Sequence, residues 1–227
     1  MLINKKENQV KKSKKPWPTK DAMAQVYAMK LWGGSTADFY SGEGSHDVDL
    51  VQPYLDVVIS FLTSFETPLA VCDLGCGDFN VGKELVGYTQ KYVAVDIVPD
   101  LIMRNKEKFK LENLEFQYLD IALYDLPSGD CAILRQVLQH LSNAEVLGIA
   151  ARLPHLKYVI LTEHLPHGDF VPNKDLISGQ GIRLKKQSGI NLTAPPFNLR
   201  VLEELQLLSV NAKEGKGVLA TKLYRLF

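Results

Sequence analysis

The stretch Leu69-Ala-Val-Cys-Asp-Leu-Gly-Cys-Gly77 decides the fold class of this chain. A short and almost wholly apolar run of this kind is typical of a parallel strand that is covered on both faces. Two glycines follow the run closely, and glycine is the residue that lets a backbone turn tightly. The pattern predicts a buried strand that leads into a glycine turn, with Asp73 close to the end of the strand.

After this stretch, further apolar runs alternate with helical patterns along the chain. Further strands are predicted over residues 92–95, 114–119, 131–134 and 158–161. Four helices are also predicted. The first begins at a cap formed by Asp47 or Asp49, and the second contains Val81, Leu85 and Tyr88. The third begins at Pro99 and the fourth at the capping box Ser142-Asn-Ala-Glu145. Runs at 206–210 and 218–224 predict an antiparallel hairpin. The chain is therefore expected to be an α/β protein with a doubly wound, mostly parallel, seven-stranded sheet and helices on both faces.

Length and charge divide the chain into a tail and one domain. The first 20 residues of the 227 contain seven lysines and one glutamate, which predicts a basic, mobile tail. Residues 21–227 are expected to form a single domain. Within it, residues 21–46 are expected to be a mobile flap without a regular element. Residues 164–197, which are rich in Pro, Gly, Lys and Asn, are expected to be an inserted lid.

Composition excludes several classes of protein. Hydrophobic residues make up 46% and charged residues 23% of the chain, and no apolar run reaches the roughly 18 residues that a membrane helix needs. The N-terminus has lysines but no apolar segment behind them, so we expect a cytoplasmic protein. Three cysteines are too few for a disulfide framework, and we expect no metal site.

The glycine-rich loop after the first strand leaves more than one cofactor open. The residues up to Lys83 have the glycine and lysine spacing of a phosphate-binding loop. The next residue, however, is Glu84, where such a loop has the Ser or Thr that binds magnesium. A dinucleotide-binding turn has two of its glycines here and a ribose-binding acid at Asp96. Its third glycine position, however, is Asn80.

S-adenosylmethionine is the third candidate, because its sulfonium and amino groups are cationic and it carries no phosphate. A loop that contains Asp73 and Asp78 attracts such a ligand and repels phosphate. Four motifs follow the first four strands, namely Val71-Cys-Asp-Leu-Gly-Cys-Gly77, Val95-Asp96, Leu119-Asp120-Ile121 and Leu134-Arg-Gln-Val-Leu-Gln-His-Leu141. Over about residues 45–227 the chain therefore resembles the class I S-adenosylmethionine-dependent methyltransferases.

The resemblance implies a set of residues around the methionyl part of the cofactor. Gly75 and Gly77 would bring backbone close to it, and Asp73 would orient it, directly or through water. Arg135 or Gln136 would border this end of the site. The alternative is that these two glycines serve only to let the backbone turn.

The same resemblance implies residues for the ribose and the adenine. Asp96 would accept hydrogen bonds from both ribose hydroxyls, and Asp120 would accept one from the adenine amino group. Ile97 and Ile121 would pack on the ring. For each aspartate the alternative role is to cap the next turn or helix.

Catalysis of methyl transfer needs alignment and exclusion of water more than it needs chemical groups, because the sulfonium already activates the carbon. If the acceptor is a hydroxyl or an ammonium group, a general base becomes useful. The candidates are His140, Glu163 and His164, which follow the fourth strand or end the fifth. A packing role or a solvated position is the alternative for each of them.

The acceptor pocket is expected to form between the flap and the lid, with Tyr40, Ser45, Arg183 and Phe197 as candidate residues. The reaction expected is O- or N-methylation of a small molecule. One alternative is a nucleic-acid or protein methyltransferase that docks through the basic tail, and another is a domain that binds the cofactor without turnover. Nucleic acid is disfavoured because the body of the chain is acidic and because Arg135-Gln-Val-Leu138 replaces the Asn/Asp-Pro-Pro-aromatic segment common in base-methylating enzymes.

Overall fold

The computed structural model describes residues 16–34 and 38–227; the predicted basic tail falls outside these residues up to residue 15. The described residues form four α-helices: α1 Thr19–Ala28, α2 Val48–Leu62, α3 Pro99–Lys108 and α4 Asn143–Arg152. They also form seven strands: β1 Ala70–Leu74, β2 Lys91–Asp96, β3 Leu114–Tyr118, β4 Cys131–Arg135, β5 Tyr158–Leu165, β6 Glu203–Asn211 and β7 Val218–Arg225.

The strands form one sheet in the order β3-β2-β1-β4-β5-β7-β6. The first five strands are parallel, and β7 pairs antiparallel with both β5 and β6. The predicted seven-stranded sheet with a C-terminal hairpin is therefore confirmed. The chain winds outward from β1 in one direction and from β4 in the other, and such a reversal opens a crevice at the carboxyl ends of the two strands.

Both faces of the sheet are covered, as a buried parallel sheet requires. On β1, Cys72 and Leu74 belong to one apolar cluster, which also contains Ile149 of α4. The residue before them, Val71, belongs to the cluster on the opposite face, together with Val58 of α2. The near absence of polar residues from β1 thus reflects apolar packing on two sides.

Three helices begin where the sequence predicts. The Asp47 side chain accepts a hydrogen bond from Asp49 N at 3.0 Å and caps α2. Pro99 occupies the first turn of α3. Ser142 and Glu145 form the reciprocal capping box at the start of α4, which satisfies backbone N–H groups that have no partner within the helix.

The helix predicted through Val81, Leu85 and Tyr88 is wrong. The structure has two short 3-10 turns here, Gly82–Glu84 and Val86–Tyr88. Each turn contains a glycine, which lowers helix propensity by about 1 kcal/mol relative to alanine. Val81 and Leu85 are nevertheless buried. The spacing of apolar residues therefore predicted their burial correctly but predicted the helix wrongly.

The flap and the lid are more ordered than predicted. Helix α1 fills the first part of the flap, and the proposed boundary after residue 20 falls inside this helix. In the lid, the one regular element after β5 is the 3-10 turn Arg183–Lys186, yet Ile190 and Leu192 are buried in the core. In the described part of the chain, no helix is long and apolar enough to cross a bilayer.

Candidate functional site

A cavity of about 360 Å³ lies at the carboxyl ends of the central parallel strands. Its walls come from the glycine loop, from the ends of β2 and β4, from the flap and from the lid. Most of the site residues predicted from the sequence line it, namely Asp73, Gly75, Gly77, Asp96, Ile97, Asp120, Ile121, Arg135, Gln136, Ser45, His140 and His164. The crevice that the topology opens is thus the one in which the predicted residues meet.

The glycine loop has a backbone that other residues adopt poorly. Gly75 has φ of 90° and Gly77 has φ of 56°. A Cβ on Gly75 would lie 2.6 Å from Val137 Cγ2, and one on Gly77 would overlap the Ser41 hydroxyl. Both glycines are therefore needed for the turn and for the close approach of neighbouring segments, and they leave backbone exposed to the cavity.

Asp96 fastens the glycine loop to the end of β2. Its Oδ2 accepts a hydrogen bond from Gly77 N at 3.1 Å, and its Oδ1 accepts one from Val98 N at 3.0 Å. Burial raises the pKa of this carboxyl group to about 6. Each carboxylate oxygen has a second acceptor site, so the capping role does not exhaust the group, which also lines the cavity.

Two more aspartates border the same wall. Asp73 is buried and accepts a hydrogen bond from the Tyr92 hydroxyl at 3.0 Å, and burial raises the pKa of its carboxyl group to about 7. Asp120 Oδ1 accepts a hydrogen bond from Ala122 N at 3.0 Å, which makes it the cap of the turn after β3. The capping alternative therefore applies to Asp120 too, whose side chain remains beside the cavity.

Arg135 connects the end of β4 to the flap. Its guanidinium donates to Gly44 O at 2.6 Å and to Ser45 Oγ at 3.3 Å, and it lies 4.8 Å above the Tyr54 ring. Its Nε is buried and has no hydrogen-bond partner among the described residues. Burial lowers the pKa of this group, and a buried cation with one unsatisfied donor beside a cavity is suited to an anionic ligand group.

The flap is fastened across the glycine loop by reciprocal hydrogen bonds. Ser41 N donates to Asp78 Oδ2 and Asp78 N donates to Ser41 Oγ, each at 2.8 Å. The Tyr27 hydroxyl of α1 lies 3.0 Å from Ser41 Oγ, and His46 Nε2 lies 2.5 Å from Asp78 Oδ2. This part of the flap therefore forms a wall of the site.

The polar side chains of His140, Gln139 and His164 also line the cavity, as does Trp32. His140 Nδ1 lies 3.2 Å from Gly179 O, and the Trp32 and His140 rings have centroids 5.1 Å apart. Burial lowers the pKa of His140 to about 4, so its imidazole is neutral near pH 7. The sequence reading missed Trp32 and Gln139, although the aromatic content of the flap was a usable signal for the former.

Four predicted site residues do not line the cavity. Glu163 is buried and accepts a hydrogen bond from Leu138 N, since side chains on a strand alternate between faces and His164 takes the cavity side. Arg183 is buried and donates to backbone carbonyl groups, and Phe197 lies in the core. Tyr40 stacks on His46 with ring centroids 4.3 Å apart, in a neighbouring groove.

The residues present fit S-adenosylmethionine better than a phosphate-bearing ligand. Lys83, which a phosphate-binding loop would aim at the ligand, is exposed and donates to Asn80 Oδ1 at 3.0 Å. Aspartates surround the glycine loop, and Ile97 and Ile121 supply apolar surface beside Asp96. Among the described residues, no three His, Cys, Asp or Glu side chains are close enough to hold a metal ion.

Comparison with known proteins agrees with this geometry. Residues 72–153 match the family model described as a methyltransferase domain. A comparison with curated protein sequences finds no match.

Solved methyltransferase structures share the fold. The N-methyltransferase NodS from Bradyrhizobium japonicum WM9, in complex with S-adenosyl-L-homocysteine, is 11% identical with a TM-score of 0.64, and the match covers 90% of this chain and 99% of that one. Magnesium protoporphyrin IX methyltransferase from Synechocystis PCC 6803, with bound S-adenosylmethionine, is 16% identical with a TM-score of 0.57, over 94% and 100% of the chains.

Human N-acetylserotonin methyltransferase in complex with S-adenosylmethionine is 19% identical with a TM-score of 0.54, over 80% of this chain. The chain spans about half, 54%, of that human protein. At these identities the structural likeness establishes the fold, and the family match adds the type of domain. The chain therefore shares its fold with these S-adenosylmethionine-dependent methyltransferases, and residues 72–153 match the methyltransferase-domain model.

Proposed function

We propose that this protein transfers the methyl group of S-adenosylmethionine to an oxygen or nitrogen atom of a small molecule. The observation that carries the proposal is the cavity itself, which runs from the glycine loop to a polar wall at His140 and has Trp32 among its lining residues. The flap, α1 and the lid all contribute to its walls. A recessed cavity of about 360 Å³ is of the size that small ligands occupy.

When bound, the cofactor supplies a methyl carbon that its sulfonium activates. We assign its methionyl end to the backbone of Gly75 and Gly77 and to two side chains of opposite charge. Asp73 can accept from an ammonium group, and the unsatisfied Nε of Arg135 can donate to a carboxylate.

The ribose and adenine are assigned to the ends of β2 and β3. Asp96 has acceptor sites left after its two backbone hydrogen bonds. Ile97 and Ile121 provide the apolar surface that an adenine ring requires, and Asp120 lies next to them in the cavity wall.

The acceptor is assigned to the end of the cavity that contains His140 and His164. A neutral imidazole whose pKa is about 4, and whose two ring nitrogens contact Gln139 and Gly179, is poorly suited to carry away the proton of the acceptor. We therefore propose an orienting role for His140. Burial also lowers the pKa of His164, whose Nε2 lies 2.5 Å from Lys216 O.

The names of two similar proteins support a small acceptor, since N-acetylserotonin and magnesium protoporphyrin IX are small molecules. The alternative is that the basic tail, which lies outside the described residues up to residue 15, docks a nucleic acid or protein. Removal of residues 1–15, which leaves α1 intact, separates the two possibilities.

The deciding experiment is calorimetric titration with S-adenosylmethionine and S-adenosylhomocysteine, with NADH and magnesium-ATP as control ligands. We expect binding of the first two alone. Asp96→Ala should weaken it about tenfold or more, because charge-assisted hydrogen bonds are lost. The matched control is Asp125→Ala, because the Asp125 side chain is fully exposed. Equal affinity of the two variants would remove Asp96 from the cofactor site.

Acceptors are then screened with S-adenosylmethionine labelled in the methyl group. The screen has three arms, which are a small-molecule extract, total RNA and total protein. Label in the small-molecule arm supports the proposal. Label confined to RNA or protein, and lost when residues 1–15 are removed, refutes it in favour of the docking alternative.

A further inference from the structure

The 3-10 turn Leu138–His140 carries two side chains of the acceptor wall, Gln139 and His140. At its start, Leu138 N donates to Glu163 Oε1 at 3.1 Å. At its end, Arg183 donates from Nη1 to Leu138 O at 2.8 Å and from Nη2 to Leu141 O at 2.7 Å. A carboxyl oxygen therefore satisfies a backbone N–H group at one end of the turn, and a guanidinium satisfies backbone C=O groups at the other.

These two residues are among the most deeply buried polar groups of the protein. Glu163 is 2% exposed and Arg183 is 1% exposed, and neither lines the cavity. Burial raises the pKa of Glu163 to about 8, so near pH 7 this carboxyl group is mostly protonated and still accepts from Leu138 N. Glu163 Oε2 and Arg183 Nε are buried without a hydrogen-bond partner among the described residues, and burial of such atoms is costly, so their place here calls for a specific role.

The lid holds the same turn by further contacts. Gly179 N donates to His140 O at 3.0 Å, and Ser142 N donates to Ser178 Oγ at 2.7 Å. Arg183 Nη2 also donates to Asn143 Oδ1 at 2.7 Å. The middle of the lid is thus attached to residues 138–143 and is not a free excursion.

The hydrogen bonds around His140 define the state of its ring. A carbonyl group can only accept, so the 3.2 Å contact with Gly179 O requires a proton on Nδ1. His164 N donates to Gln139 Oε1 at 3.0 Å, which turns the Gln139 amide nitrogen toward His140 Nε2 at 3.3 Å. An amide nitrogen can only donate, so Nε2 is the acceptor and carries no proton.

We propose that Glu163 and Arg183 are positioning residues that hold both ends of the 138–140 turn and thereby keep His140 as the neutral Nδ1–H tautomer, hydrogen-bonded to Gly179 and Gln139. The consequence for catalysis, an oriented wall for the methyl acceptor, rests on the proposed function. The geometry of the turn and the tautomer do not, and they are tested without substrate.

The test is nuclear magnetic resonance at pH 7 on the full chain labelled with ¹⁵N in its five histidines. His140 is identified by the signals that vanish in His140→Gln. Nε2 couples to both carbon-bound ring protons, and we expect this nitrogen to be the unprotonated one. Finding Nε2 protonated, or both nitrogens protonated, would overturn the proposal.

Arg183→Met then removes the two-carbonyl contact. We expect the His140 signals to shift and to broaden as tautomers exchange, and Arg183→Lys to restore them only partly, because one ammonium group cannot reproduce the fork. The matched control is Lys186→Met, in the same 3-10 turn as Arg183. The Lys186 ammonium group donates to the Asp175 carbonyl at the surface, so its loss should leave the His140 signals unchanged. A folded Arg183→Met with unchanged His140 signals refutes the positioning role.

If Arg183→Met does not fold, the Glu163 pair decides. Glu163→Gln keeps an oxygen that can accept from Leu138 N and should preserve the His140 signals, whereas Glu163→Ala should lose them. Identical spectra for both variants refute the role of Glu163. S-adenosylmethionine titration of the same samples shows separately whether the proposed function holds, since it does not depend on the tautomer.

Discussion

Replacing Gly77 with alanine tests the link between the glycine loop and the flap. The backbone of Gly77 is left-handed, with φ of 56°, a conformation that costs other residues about 1 kcal/mol. The new Cβ would overlap Ser41 Oγ and lie 3.2 Å from Ser41 Cβ. The side chain that meets the methyl group is therefore the one that fastens the flap, and Ser41 must move for the variant to fold.

The expected loss follows from the contacts of Ser41. Displacing its hydroxyl breaks the hydrogen bond from Asp78 N at 2.8 Å and the contact with the Tyr27 hydroxyl at 3.0 Å. Each is worth about 1 kcal/mol. Together with the backbone strain, Gly77→Ala should lower the free energy of unfolding by about 3 kcal/mol, measured by urea denaturation followed by tryptophan fluorescence.

Gly87→Ala is the matched control, because a Cβ there meets nothing within 4 Å; its effect should stay within about 0.5 kcal/mol. Ser41→Ala provides a double-mutant cycle. It should cost about 2 kcal/mol alone and much less in the Gly77→Ala background, where the hydroxyl is already displaced. Additive effects of Gly77→Ala and Ser41→Ala, or equal stability of the Gly77 and Gly87 variants, would show that Gly77→Ala does not act by displacing Ser41.

Two further predictions concern buried polar groups. The pKa of the Asp73 carboxyl group is 3.8 in the unfolded chain and about 7 in the folded protein. The free energy of unfolding should therefore fall as pH rises between these values. Asp73→Asn should remove that part of the slope in urea denaturation at pH 5 and pH 7.5, and an unchanged slope would contradict the assignment. Asn173→Ala should destabilise the protein by about 2 to 4 kcal/mol, because its amide is hydrogen-bonded to Asn191 and Pro195 of the lid. The control is Asn198→Ala, because Asn198 is exposed and has a similar left-handed backbone, with φ of 48° against 59°; an equal change in the two variants would show that the lid is not part of the core.

The strands were predictable because burial on two faces leaves a continuous apolar signal. Val71, Cys72 and Leu74 are all buried, and the same applies to residues 131–134. Helix starts at Asp47, Pro99 and Ser142 were predictable because capping depends on neighbours in sequence.

The missed elements depend on contacts that are distant in sequence. Helix α1 has few buried residues, and Thr19 is hydrogen-bonded to Glu145 of α4, so local spacing gave no clear pattern. The lid lacks periodicity because its order comes from single polar groups, such as Asn173 and Arg183, that bind backbone carbonyls. Sequence spacing carries no record of such contacts.

The cofactor side of the site was more predictable than the acceptor side for the same reason. Gly75, Gly77 and Asp96 follow directly from strands whose register is fixed by burial. Arg183 lies in a segment without periodic pattern, so nothing in the sequence distinguished a cavity-facing cation from a buried one that holds the 138–140 turn.

The reciprocal hydrogen bonds between Ser41 and Asp78 have a consequence for the rate of turnover. They join two walls of the cavity, so a cofactor that leaves between these walls does so only after both have broken. Opening then sets an upper limit on the steady rate, whatever the speed of the chemical step. Where the proposed function holds and opening is slower than the chemical step, rapid mixing should show a burst of methylated product in the first turnover, and Ser41→Ala should then shorten the slow phase that follows.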